Sequence, residues 1–216
     1  MGIKVGIIGS GIVGQVLANG FVEFGYDVMI GTNHPDKRAE LREKTNGKVK
    51  IGSFEQTAEF GEVVVLATKG TAAETAVHLA GIANLRAKTV IDTTNPIADA
   101  APVNGVLQYF TSANDSLMER LQKLAPEAHF VKSFSCVGNA FMINPDFGGI
   151  KPTMFICGND EGAKSDVKKI LAQFGWEYQD MGTVEAARAI EPLAILWCIP
   201  GLRQNTWMHA FKLLKK

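Results

Sequence analysis

The strongest constraint on this chain is a run of six residues, Gly9-Ser10-Gly11-Ile12-Val13-Gly14. It follows the apolar stretch Ile3-Lys4-Val5-Gly6-Ile7-Ile8 and precedes a helical pattern from Gln15 to Phe24. A strand, then G-x-G-x-x-G, then a helix is the context in which this motif carries meaning. Its glycines have separable tasks. Gly9 lets the chain turn tightly, Gly11 lets backbone approach a pyrophosphate, and Gly14 lets helix and strand pack closely. The helix N-terminus then offers unpaired N–H groups and a partial positive charge to phosphates. Ser10, Ile12 and Val13 complete the expected cofactor loop. The bland reading is a glycine-rich turn in some other α/β fold.

The second strand, Asp27 to Thr32, ends where a carboxylate would bond the ribose 2′-OH in an NAD-preferring site. Here the tip reads Gly31-Thr32-Asn33-His34-Pro35-Asp36-Lys37-Arg38, with no acid at the strand end. A carboxylate 4 Å from a 2′-phosphate would repel it by roughly 4 kcal/mol per charge pair at an effective dielectric of 20. Hydroxyl, amide and cations in its place point to NADP, with Thr32, Asn33, His34, Lys37 and Arg38 as candidate ligands. Asp36 reads as a helix-start residue after Pro35. The competing reading is a solvated first turn with ordinary charges and an exposed loop histidine.

A short polar helix is expected over 36–46, a third strand at Val49–Ile51, and Ser53 as N-cap of a helix over 54–60. The β-branched run Val63–Thr68 suits a strand buried on both faces. Ligands of doubly wound sheets lie outside the carboxyl ends of the strands. That rule puts Thr68 and Lys69 beside the cofactor, and, after a helix over 71–83 and a strand at Thr89–Asp92, Thr94 and Asn95 near its nicotinamide half. Lys69 reads equally well as a solvated charge, and Asn95-Pro96 as a rigid turn.

Residues 97–113 are loop-like with a turn at Asn104-Gly105, followed by a helix over 114–124 and a sixth strand over 130–134. The small residues of the exit Ser135-Cys136-Val137-Gly138-Asn139 let a flat ring approach the backbone. Cys136 has no neighbouring base and reads as a core or pocket-lining residue, not a nucleophile. A second β-α-β passage (153–157, 161–174, 176–180) is expected to extend the sheet. The tail from Val184 reads as helical with a break at Ile199-Pro200-Gly201, and Arg188 and Glu191 share one helix face, which suits a structural ion pair or, alternatively, a place on the pocket lining. The predicted fold class is thus α/β, a Rossmann-like doubly wound and mainly parallel sheet in the order 3-2-1-4-5-6. Residues 1–133 would form the NADP-binding domain, and 134–216 a small, mostly helical cap packed on it.

Composition excludes several classes of function. The 22 basic and 22 acidic residues cancel, so neither nucleic acid nor a membrane surface is an expected partner. Three scattered cysteines form no disulfide framework and no metal spacing, so no metal site is expected. The start reads as a strand and not a signal peptide, and no apolar run approaches the length of a span. A cytoplasmic protein acting on a small molecule or cofactor is expected, with a homodimer left open. The four histidines are scattered and no acid–base pair marks a strand tip. That hinders a dehydrogenase acting on an alcohol or ketone, whose oxygen must exchange a proton. It does not hinder hydride exchange between two ring cofactors.

The chain resembles the coenzyme F420-dependent NADP oxidoreductases over nearly its whole length. The resemblance rests on Gly9/Gly11/Gly14, on Ile30-Gly31-Thr32-Asn33-His34-Pro35-Asp36-Lys37, on Asp92-Thr93-Thr94-Asn95-Pro96, and on Ala187-Arg188-Ala189-Ile190-Glu191-Pro192-Leu193. It implies a Rossmann domain with a small C-terminal part, NADP along the strand tips, a nicotinamide-side wall at Ser135-Cys136-Val137, and hydride passing between nicotinamide and a deazaflavin. The family's 2′-phosphate ligands fall on Thr32 and Lys37. Asn33 stands where the family usually has Arg, Ser135 where the deazaflavin enzymes carry His, and Gly70 where an aromatic residue is common. The last two departures fall where the second substrate would stack. The sequence therefore points to an NADP(H)-dependent oxidoreductase with coenzyme F420 or a flavin as partner. Reduction of a small C=N or C=O substrate, or NADP sensing without turnover, are the alternatives.

Overall fold

The computed structural model describes residues 2–45 and 47–216; Met1 and Asn46, at the end of the helix expected over 36–46, lie outside the described residues. Six strands, β1 (Lys4–Ile8), β2 (Asp27–Gly31), β3 (Lys50–Gly52), β4 (Val63–Leu66), β5 (Thr89–Asp92) and β6 (His129–Lys132), form one parallel sheet. Their order is β3-β2-β1-β4-β5-β6, as the motif's context predicts. The order reverses between β1 and β4, and that switch opens a crevice at the strand tips.

Alternation along the strands sorts the core into two layers. Ile7, Val65, Ile91 and Val131 face α1 (Ile12–Glu23) and α6 (Glu161–Gln173). Ile8, Val64, Leu66, Val90 and Phe130 face α3 (Phe54–Phe60), α4 (Ala73–Ala80) and α5 (Leu117–Leu124). The central β4 is buried along its whole length, which is why it reads as an unbroken apolar run. The polar α2 (Arg38–Lys44) buries only Leu41. Ser53 caps α3 in a reciprocal box with Gln56, and Asn104-Gly105 turns with positive φ at both residues, 52° and 82°.

Three expectations are corrected. The second β-α-β passage does not extend the main sheet: β7 (Thr153–Ile156) and β8 (Glu177–Asp180) pair with each other in a separate parallel sheet. Phe134, buried with φ of 60°, turns the chain away just past β6, and a single bridge from Lys132 N–H to the Cys157 carbonyl (3.0 Å) joins the two sheets. The tail does not break at Pro200. After α7 (Ala187–Ile190), α8 (Leu193–Gln204) runs straight through it. The carbonyl that proline deprives of a partner belongs to Leu196, on the exposed side of the helix where water reaches it. Helix then stops at left-handed Asn205, and the chain returns to β7, where Thr153 N–H donates to the Phe211 carbonyl at 2.9 Å. Nor do Arg188 and Glu191 pair. Arg188 grips Glu119 on α5, while Glu191 turns inward to Lys132.

Candidate cofactor-binding site

The glycine loop divides its labour as the motif requires. Gly9 has φ of 120°, and a Cβ there would strike the Ala67 carbonyl; at Gly14 it would strike the carbonyl of Gly9. These two glycines permit the turn and the close approach of helix to strand. Gly11 differs: a Cβ there would have no neighbour within 4 Å. Its bareness serves nothing inside the protein and leaves the backbone open to a ligand. The first helical bond of α1 runs from Gln15 N–H to the Gly11 carbonyl (3.0 Å), so the amides of the preceding turn project from the helix N-terminus. Gln15 Nε2 steadies the loop by donating to the Ser10 carbonyl at 2.8 Å. Backbone amides, positive helix end and bare glycine fit a pyrophosphate, and hence a dinucleotide such as NADP.

A cleft of about 420 Å³ opens against this loop. Gly11, Ile12 and Val13 form one side; Thr68, Lys69 and Gly70 beyond β4, Thr93, Thr94 and Asn95 beyond β5, and Ile97, Ala98 and Asp99 form the other. Ile12 is an apolar side chain left 60% exposed at its mouth, as a residue awaiting a flat ring would be. Gly70 could be nothing else, because a Cβ there would meet the Asn95 carbonyl. Thr68 Oγ1 and Asn95 Oδ1, on two neighbouring strand tips, are buried without a hydrogen-bond partner among the described residues.

At the β2 tip, Thr32 is buried, and its Oγ1 receives the Ser10 hydroxyl and the His34 N–H, each at 3.1 Å. This ties the second strand to the glycine loop. Asn33, His34, Lys37 and Arg38 are exposed around it, and the short 3-10 turn Pro35–Lys37 leads into α2 with Asp36 in its first turn. No carboxylate is hydrogen-bonded to Thr32 Oγ1 among the described residues.

The expected nicotinamide wall sits deeper than the sequence reading places it. Ser135, Cys136 and Val137 are buried and do not line the cleft. Val137 packs in the α1/α6 core, and Ser135 meets the cleft through its carbonyl, which accepts from Asn95 Nδ2 at 2.7 Å. Burial pushes the Cys136 thiol up to about 12, so it stays protonated and is no nucleophile at neutral pH.

Sequence reasoning missed a buried ionic cluster under the cleft floor. Lys132 Nζ lies 2.6 Å from Asp92 Oδ2 and 2.8 Å from Glu191 Oε1, and it also donates to the Thr94 carbonyl at 2.8 Å. Burial alone would lower the lysine pKa, but the two carboxylates outweigh it and hold it above its ordinary value. Asp92 Oδ1 accepts from both the N–H and the hydroxyl of Thr94, at 2.9 and 2.7 Å. Glu191 also accepts the first amides of α5, Leu117 and Met118, each at 3.0 Å. The signal available beforehand was Lys132 at the end of an apolar strand, a position that buries a charge only if it is paired.

Residues 4–96 match the family described as "NADP oxidoreductase coenzyme F420-dependent". That segment is similar to this family. Beyond it, the chain is 29% identical over 204 residues to the metalloreductase STEAP3 of Rattus norvegicus, covering 92% of this chain and 38% of that protein. It is 25% identical over 198 residues to the human metalloreductase STEAP2, covering 89% of this chain and 36% of the relative. It thus spans well under half the length of the curated relatives it matches. A solved structure of a candidate F420-dependent NADP reductase from Arthrobacter sp. FB24 superposes with a TM-score of 0.92, at 29% identity, covering 99% of this chain and 100% of that one. An imine reductase of Streptomyces aurantiacus aligns with a TM-score of 0.67 at 15% identity, over 92% of this chain and 62% of its own, a likeness of fold alone. No helix among the described residues is long and apolar enough to cross a membrane.

Proposed function

We propose that this chain is an NADP(H)-dependent oxidoreductase that passes a hydride between nicotinamide and a second ring, a deazaflavin or flavin-like acceptor. The observation that carries the reading is the cleft itself: an open-faced Gly11 and an exposed Ile12 facing strand tips whose polar groups serve one another or wait unpaired. When bound, the dinucleotide supplies the hydride chemistry. The glycine loop and the α1 N-terminus would hold its pyrophosphate, and Thr32, with Lys37 or Arg38, its 2′-phosphate. Thr94 and Asn95 would flank the nicotinamide half. The protein's share is orientation and exclusion of water.

A second reading, reduction of a small C=N or C=O compound, is supported by the ionisable groups Lys69 and Asp99 on the cleft lining, since such a substrate needs a proton as well as a hydride. Anaerobic NADPH oxidation against deazaflavin, FMN, riboflavin, quinones and small imines separates the two. Turnover with ring acceptors that survives Lys69→Met and Asp99→Asn supports the first reading; turnover with imines alone, lost in those variants, supports the second. No turnover with any acceptor, beside tight NADPH binding, leaves a sensing role.

A further inference from the structure

The buried cluster of Asp92, Lys132 and Glu191 takes no part in that chemistry, and all three side chains are closed to solvent. A buried ionic triad is a poor way to gain stability, because desolvation consumes most of the attraction. Its wiring suggests another task. Every hydrogen-bonding group of Thr94 is taken by it: the carbonyl by Lys132, the N–H and hydroxyl by Asp92. Asn95 is tied in turn to the Ser135 carbonyl. A second arm reaches the opposite end of the same loop. The Tyr109 hydroxyl donates to the Glu191 carbonyl at 2.7 Å, and Tyr109 bridges Ile97 across a short antiparallel ladder, with Phe110 N–H on the Pro96 carbonyl at 2.9 Å. Thr94, Asn95, Ile97 and Ala98 all line the cleft. The far wall of the cleft is therefore suspended at both ends from one buried cluster, which Glu191 also fastens to the N-terminus of α5.

We propose that Lys132 is a positioning residue that holds the Thr94–Asn95 turn in the place required by the nicotinamide half of the cofactor, and that Tyr109 does the same for the Ile97–Ala98 segment. The proposal rests on the NADP reading above. Among the described residues neither is hydrogen-bonded or ion-paired to the glycine loop or the β2 tip, so the adenosine half is held independently. The cluster acts on one half of the ligand only.

The test compares two ligands by titration calorimetry on the full chain: NADPH, and 2′,5′-ADP, which presents the adenosine half alone. Lys132→Met by itself strands two buried carboxylates, so the working variant is Asp92→Asn/Lys132→Met/Glu191→Gln, neutral throughout and of similar volume, with Tyr109→Phe as a milder second probe. The triple variant is expected to bind NADPH at least tenfold more weakly and 2′,5′-ADP within twofold of wild type, and Tyr109→Phe to weaken NADPH about threefold with the same split. A merely structural cluster would weaken both ligands together, or neither, and either result overturns the proposal. So does Tyr109→Phe behaving as wild type should the triple variant fail to fold. A wild-type chain that binds neither ligand removes the NADP reading and this inference with it.

Discussion

Lys132 and Asp92 meet at 2.6 Å at the ends of two adjacent parallel strands, both wholly withdrawn from solvent. Breaking a buried pair by removing one partner typically costs about 3–5 kcal/mol, whereas a neutral replacement of the whole group is far cheaper. Lys132→Met is therefore expected to lower the urea midpoint sharply, and the added Asp92→Asn and Glu191→Gln changes to restore much of the loss. A single variant as stable as wild type would contradict the burial and pairing described.

The three glycines of the loop separate by consequence. Gly11→Ala places its methyl in open space, so stability should hold within about 0.5 kcal/mol, as for a surface change, while NADPH binding falls. Gly14→Ala drives a methyl into the Gly9 carbonyl and should destabilise the fold whether or not cofactor is present. Thermal melts with and without NADPH read both effects. Equal loss of binding and stability in the two variants would refute the division of roles.

Much of this arrangement is legible in the sequence because its signals are local. The glycine spacing, the β-branched run of β4, and Ser53 placed three residues before Gln56 each act within a few residues. They prescribe strand, turn and cap without knowledge of the rest. The triad is hard to read for the opposite reason: Asp92, Lys132 and Glu191 are distant in the chain, and although Lys132 ends an apolar strand, nothing near it names its partners. Only the meeting of β5, β6, α5 and α7 removes all three from water. The separate β7–β8 sheet was hidden similarly, since nothing near Thr153 announces that Phe134 turns the chain off the sheet edge.

Cofactor preference depends on the β2 tip. Thr32 is buried against Ser10, so a carboxylate there would sit beside the glycine loop, where its charge opposes a 2′-phosphate and can accept from a ribose 2′-OH. NADP(H) is expected to bind more tightly than NAD(H), and Thr32→Asp to reverse the order by at least tenfold in the ratio of dissociation constants. Calorimetry with the four nucleotides measures it. Equal affinities in the wild-type chain would remove the argument from the missing acid.

Cys136 and Cys157 are both pushed up by burial, each from 9.0 to about 12. The unfolded chain releases these protons near pH 9 and the folded chain does not. Between pH 9 and 12 the folded state thus holds more protons than the unfolded one, and its stability falls as pH rises; below pH 9 the contribution is complete. Cys136→Ala/Cys157→Ala should lose less stability than wild type over that window, although it starts lower because two buried side chains have been cut back. The same protonation bears on mechanism. A thiol held neutral at working pH cannot serve as nucleophile, so Cys136→Ala should keep substantial NADPH oxidation with a ring acceptor, and its rate should show no titration near pH 9. Loss of turnover in Cys136→Ala with NADPH binding intact would replace ring alignment by thiol chemistry. Ile12→Trp supplies the steric counterpart: it crowds the mouth of the cleft without adding a titratable group, and should suppress turnover with ring acceptors by a larger factor than it weakens 2′,5′-ADP binding.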